Sequence, residues 1–122
     1  MPHTVLVVDD YPDARYLLSY LLTDAGFHVV TAENGPEAIA MARRHRPAAI
    51  VMDLHLPGMT GIEATERLRA DADLAGIPVI AHTLSPRPLT DEQRGLFREV
   101  FGKPTEPEDL IGALRRIIAA HP

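Results

Sequence analysis

The sequence contains no cysteine, which excludes a disulfide framework and a thiolate metal site. It has no apolar run long enough to span a bilayer. Its N-terminus lacks the pattern of a secretory signal. These absences lead to the expectation of a cytoplasmic chain with no membrane partner. Basic charge is scarce as well. Twelve Lys and Arg stand against seventeen Asp and Glu, and a formal charge of −5 leaves no electrostatic footprint for direct nucleic-acid binding. No internal repeat or low-complexity linker divides the chain. Its 122 residues suffice for one domain with a real core, so 1–122 reads as a single domain. His3, His28, His45, His55, His82 and His121 are scattered, without metal-ligand spacing.

Lysine is nearly missing too. Lys103 is the only one among those twelve cations, so the other eleven are Arg. A chain so biased should lose lysine wherever the two residues are interchangeable. An ammonium is a compact point charge and a guanidinium a broad planar fork, and a site that needs the former keeps its lysine.

What is present alternates. Thr4 to Val8 is β-branched and apolar and reads as a buried strand ending in Asp9-Asp10. Pro12 and Asp13 suit a first helical turn. Leu17, Leu18, Leu21, Leu22 and Ala25 recur at helical spacing up to Gly26. His28 to Thr31 is a second strand. Asn34 caps the next helix, with Pro36 and Glu37 in its first turn and Pro47 at its end. Ala48 to Met52 is a third strand ending in Asp53. Thr60 and Glu63 make a capping box for a helix across Ile62 to about Ala70. Ile77 to Ala81 is a fourth strand, followed by His82 and Thr83. After a proline-rich link, Thr90 and Gln93 cap a helix that Gly95 cuts short. Glu99 to Gly102 is a weak fifth strand before Lys103, and Thr105, Pro107 and Glu108 open the last helix. Five βα repeats imply an α/β parallel sheet, doubly wound, with helices on both faces and right-handed crossovers.

In such sheets ligands sit outside the carboxyl ends of the strands. Asp9, Asp10, Asp53, Thr83 and Lys103 all fall there. Each has a plain alternative. Asp-Asp after a strand is often a helix cap, Asp before Pro57-Gly58 a turn residue, and Thr at a strand end simply β propensity. Their coincidence at one edge points elsewhere. Crowded carboxylates need a cation, and hard oxygen ligands with room for water suit Mg²⁺. A hydroxyl and an ammonium across the same mouth complement an anion. The combination describes phosphoryl transfer, with Asp53 as nucleophile.

Three stretches carry a family resemblance. They are Val5-Leu6-Val7-Val8-Asp9-Asp10, the run from Asp53-Leu54-His55-Leu56-Pro57-Gly58 through Glu63, and Ile77 through Thr83 with Lys103-Pro104. Together they resemble the CheY-like receiver domain of two-component response regulators over nearly the whole chain. The resemblance implies a flavodoxin-like fold with strand order 2-1-3-4-5. It implies that Asp53 is the phosphoacceptor, served by a sensor histidine kinase or a histidine phosphotransfer protein. Mg²⁺ would be held by Asp10 directly, Asp9 mainly through water, Asp53, and the backbone carbonyl of His55. Thr83 and Lys103 would meet the phosphoryl oxygens, and the first helix, with Arg15 and Tyr16 on its exposed side, would dock the phosphodonor. A switching protein-interaction surface then reports the event to a downstream protein, and the domain turns over no external substrate.

Several residues depart from the family pattern. Leu84 stands where Ala or Gly is usual and is expected to crowd the mouth. Val100 replaces a switch aromatic, while Phe101 should point to the opposite face. His82 replaces an aliphatic residue and, if buried, costs stability unless it finds a hydrogen bond. The stretch between Thr83 and Lys103 is short, which implies a reduced fourth helix. His55 lies where side chains touch attacking water. Two other readings compete: a degenerate receiver acting as a phosphorylation-independent interaction module, and a Mg²⁺ phosphohydrolase using His55 as acid/base.

Overall fold

The computed structural model describes residues 2–84 and 89–120. The elements run β1 (Thr4–Val8), α1 (Pro12–Asp24), β2 (His28–Ala32), α2 (Gly35–His45), β3 (Ala49–Met52), α3 (Gly61–Ala70), β4 (Val79–Thr83), α4 (Asp91–Arg94), β5 (Glu99–Gly102) and α5 (Pro107–Ala119). All strand pairs are parallel, in the order β2-β1-β3-β4-β5. This is the doubly wound sheet expected from the alternation and the strand order implied by the resemblance. The Ser85–Pro88 link lies outside the described residues. Among the described residues no helix is long and apolar enough to cross a membrane.

Strand alternation sorts the core into two layers. Leu6, Val8, Ile50, Met52, Val79 and Ala81 face α2 and α3, meeting Ala38, Ala42, Ala64 and Leu68. Val5, Val7, Val51 and Ile80 face α1 and α5, meeting Leu22, Leu110, Leu114 and Ile117. The central strands are buried on both sides, which is why they read as unbroken apolar runs. Val100 packs in the first layer and Phe101 in the second, the opposite facing expected of neighbours on one strand.

Helix ends follow their local chemistry. Asn34 accepts from the Glu37 N–H at 2.8 Å. Capping boxes form at Thr60–Glu63 and Thr90–Gln93. Gly26 takes a φ of 102° just after α1, where a side chain would be strained. The fourth helix is a single turn, Asp91–Arg94, with Gly95 at its end.

Several boundaries differ from expectation by a residue or two, and two of the differences turn on proline. The capping box at Thr105–Glu108 does not form. Pro107 takes the first helical position and makes Glu106 the N-cap, one residue too late for Thr105. The Thr105 hydroxyl donates instead to the Gly102 carbonyl at 2.7 Å. The fourth strand starts at Val79 rather than Ile77. Pro78 has no N–H to give a ladder, although its carbonyl accepts from the Ile50 N–H at 3.0 Å. At its other end the strand continues through Thr83, which pairs with Gly102 and is its last residue.

Candidate active site

Parallel register gathers the site. Val8 lies opposite Met52, and Met52 opposite Ala81, so Asp9 and Asp53 leave neighbouring strands at one height. The ladder runs one residue past the strands. The Asp53 N–H donates to the Val8 carbonyl at 3.0 Å, and the Asp9 N–H to the Ala32 carbonyl at 3.1 Å. Farther along the edge, the Lys103 N–H donates to the Thr83 carbonyl at 2.7 Å. These side chains stand on hydrogen-bonded rim backbone rather than on free loop.

Asp9 and Asp53 are buried and Asp10 is exposed. One carboxylate oxygen from each of the three lies within 4.8 Å of the others. Asp9 is held at every polar atom. Its carbonyl accepts from Arg15 Nη1 at 2.8 Å. Its Oδ1 accepts from the Tyr11 N–H at 3.0 Å, and its Oδ2 from Lys103 Nζ at 2.7 Å. Lys103 is farther from Asp53, at 3.7 Å from Oδ2. The lysine that reads as a phosphoryl partner therefore rests mainly on Asp9.

Asp53 Oδ1 accepts from the His55 N–H at 3.0 Å. Burial raises the Asp53 pKa above the ordinary carboxylate value, and Asp9 and Asp10 push the same way. The His55 N–H and Lys103 oppose that shift. The charged form of Asp53 thus carries a desolvation cost that a further cation would relieve. An all-oxygen donor set with one exposed member fits Mg²⁺, which keeps part of its water shell. Thr83 is fully buried at the end of the strand beside β3, and its Oγ1 has no hydrogen-bond partner among the described residues. A buried unpaired hydroxyl costs about 1–3 kcal/mol, which an incoming oxyanion would recover.

Gly61 is needed for a close approach. A Cβ there would meet the Asp53 carbonyl oxygen and the Leu54 Cα, both backbone atoms. Gly61→Ala is expected to lose about 3 kcal/mol of stability, because neither neighbour can rotate away. Urea denaturation measures it, and an unchanged midpoint would show that the loop yields freely.

Two of the departing residues, His82 and Leu84, lie beside Lys103. Leu84 is 73% exposed. With His82, Leu17, Leu21 and Leu110 it lines a cavity of about 430 Å³ that reaches Asp9 and Lys103. The cavity is an apolar hollow between α1 and the start of α5. His82 Nδ1 is buried without a partner among the described residues. Burial, and then the Lys103 charge, lower the His82 pKa to about 4. A histidine with a folded pKa below its unfolded value resists protonation only when folded. Its stability contribution is intact above pH 6.5 and drains as pH falls toward 4. His82→Leu is expected to gain about 1 kcal/mol at pH 7 and to flatten stability across that window. Thermal melts at several pH values read both effects, and equal acid sensitivity in the two proteins would contradict them.

Tyr16 is exposed on α1 as expected, but Arg15 is not. Its side chain is only 20% exposed and turns inward to Asp9 and Glu33. Helical spacing alone carries no signal of that reach.

Residues 5–115 match the family model for the response regulator receiver domain. The chain is 36% identical to PilH of Pseudomonas aeruginosa over 118 residues, covering 94% of this chain and 97% of PilH. Chemotaxis protein CheY4 of Vibrio cholerae shares the fold with a TM-score of 0.88 at 32% identity, covering 96% and 99% of the two chains. The receiver domain of sensor histidine kinase PA1611 from P. aeruginosa has a magnesium ion coordinated in its active site cleft. It matches with a TM-score of 0.86 at 29% identity, covering 98% and 99%. With a sheet of this order and an acidic rim beside a buried hydroxyl and a lysine, the chain belongs to the response regulator receiver domains, the phosphoacceptors of two-component signal transduction.

Proposed function

We propose that Asp53 accepts the phosphoryl group, from a phosphohistidine on a sensor histidine kinase or a histidine phosphotransfer protein. The observation that carries this reading is the placement of Asp53. It is a buried carboxylate on a rim shared with two more carboxylates, an ammonium and a hydroxyl that is unpaired among the described residues. An Asp53 oxygen attacks phosphorus in line with the donor nitrogen. The P–N bond breaks, its electron pair returns to the donor imidazole, and a P–O bond to Asp53 forms. Lys103 and the Thr83 hydroxyl donate to the phosphoryl oxygens as the group passes to Asp53.

Mg²⁺, when bound, neutralises the carboxylates and the transferring group. Asp10 is exposed and suits direct ligation, together with Asp53 and the His55 carbonyl. Both Asp9 oxygens already accept hydrogen bonds, so Asp9 suits contact through water. The domain acts only on its own acyl phosphate and is not a turnover enzyme. Residues 1–122 read as one receiver domain, working in the cytoplasm beside its phosphodonor, with no direct contact to nucleic acid or membrane.

The aspartyl phosphate carries about −1.5 to −2 charges where the carboxylate carried one. With Val100 in place of an aromatic ring and α4 reduced to one turn, the output is a rearrangement of the α4–β5–α5 face led by Thr83 rather than by a swinging ring. Amide NMR spectra with and without Mg²⁺ and beryllofluoride test the reading. Saturable shifts at Asp53, Thr83 and Lys103 and along that face are expected, and none in Asp53→Asn. A wild-type spectrum that does not respond would favour the phosphorylation-independent module.

A further inference from the structure

We infer that Arg15 is a positioning residue that aims the Asp10 carboxylate at the metal, and not a docking residue for the phosphodonor. The inference rests on the reading that Asp10 holds Mg²⁺. Arg15 Nη1 donates to the Asp9 carbonyl at 2.8 Å, and Arg15 Nη2 stands 3.6 Å from Glu33 Oε2. That carbonyl belongs to the peptide unit that joins Asp9 to Asp10. A peptide unit is planar, so anchoring its oxygen fixes its nitrogen and the Asp10 Cα. The next peptide unit is held by the Tyr11 N–H on Asp9 Oδ1, so with both units fixed the direction in which the Asp10 side chain leaves the backbone depends on the Arg15 anchor.

Asp10 needs such an outside hold more than its neighbours do. Asp9 is locked through its own carboxylate by Tyr11 and Lys103, and Asp53 by the His55 N–H. Asp10 is exposed beside both. Arg15 is itself well anchored. Its carbonyl accepts from the Ser19 hydroxyl at 2.7 Å one turn along α1. Its guanidinium spans from the loop after β1 to Glu33 in the loop after β2. The Asp9–Asp10 loop is thus tied to both neighbouring elements through one side chain that touches no reacting atom. Residues that orient metal ligands in this way typically carry a tenfold or larger share of metal affinity.

Two readouts test it: Mg²⁺ affinity from the Asp10 and Tyr11 amide shifts in an MgCl₂ titration, and labelling by acetyl phosphate, a donor with no protein surface. Arg15→Ala is expected to weaken Mg²⁺ binding about tenfold. Its labelling rate should approach that of the wild type once Mg²⁺ saturates. Arg15→Lys should recover part of the affinity, because an ammonium can still donate to the Asp9 carbonyl. Arg15→Met keeps the aliphatic stem and removes every donor, so it decides the question if Arg15→Ala does not fold. Wild-type Mg²⁺ affinity in the folded donor-less variant would overturn the inference, and a loss confined to a protein donor would make Arg15 a docking residue. A wild-type protein that binds no Mg²⁺ would instead overturn the underlying reading of the acidic site.

Discussion

Asp53→Asn is expected to be inert as a phosphoacceptor and, at neutral pH, more stable than the wild type. Both results follow from one carboxylate in one environment. An amide has no anionic oxygen to attack phosphorus, so labelling should vanish and not merely slow. The gain in stability follows from the raised Asp53 pKa, caused first by burial and then by its acidic neighbours. The folded state keeps a proton on Asp53 at pH values where the unfolded chain has lost it. Asp53 therefore favours folding as pH falls through that interval and opposes it above. Removing the charge lifts the opposition, by about 1 kcal/mol on the scale of buried charges replaced by neutral groups. Thermal melts at pH 7, with EDTA present, measure it. A lower midpoint for the variant would mean that Lys103 stabilises Asp53 more than burial penalises it.

Lys103→Met separates two roles that ordinary inactivation would merge. Acceptance of a phosphoryl group should fall by a factor on the order of a hundred, the usual loss for one donor to a developing oxyanion. Mg²⁺ binding should become tighter in the same protein. The 2.7 Å contact makes Lys103 the cation that now neutralises Asp9, with side chains 15% and 6% exposed. Breaking a pair this buried leaves a charge uncompensated and costs about 3 kcal/mol of stability without metal. A bound divalent ion supplies the missing charge, so most of that loss should return as MgCl₂ is added. Isothermal titration and melts in EDTA against MgCl₂ report the pair of effects. Weaker Mg²⁺ binding in the variant would show that Lys103 organises the acidic cluster and does not compete for it.

The apolar hollow beside Lys103 sets these expectations in context. His82 and Leu84 face α1 and α5, on the side of the sheet away from α2 and α3. Their cost falls on stability, through a His82 ring nitrogen that has no partner among the described residues. The departures at His82, Leu84 and Val100 leave the three carboxylates together on the rim. They change what lies beside Lys103 and what Val100 can report.

The fold was readable because its signals were local and agreed with one another. Apolar strands of a few residues, capping residues at Asn34, Thr60 and Thr90, and glycine after α1 each announce one element. Alternation also placed Val100 and Phe101 on opposite faces without any knowledge of the neighbours. The strand order was not local and came through the resemblance. Two of the misread boundaries turn on proline. Pro107 shifted the start of α5 past Thr105, and Pro78 delayed β4. At the site, Asp9, Asp10, Asp53, Thr83 and Lys103 could be assigned to one rim from strand ends alone. Which partner Lys103 chooses, and whether Arg15 turns inward, depend on distances across the sheet and the reach of long side chains. Periodicity does not encode either.

The central claim is that this rim delivers a phosphoryl group to Asp53. Its most direct test is to incubate the wild-type protein with acetyl phosphate and Mg²⁺, reduce any acyl phosphate with borohydride, and map the reduced residue by peptide mass spectrometry. Reduction at position 53 alone, lost when EDTA removes the metal, is the result expected. Reduction at Asp9 or Asp10, or no reduced carboxylate at saturating donor and Mg²⁺, would contradict the account.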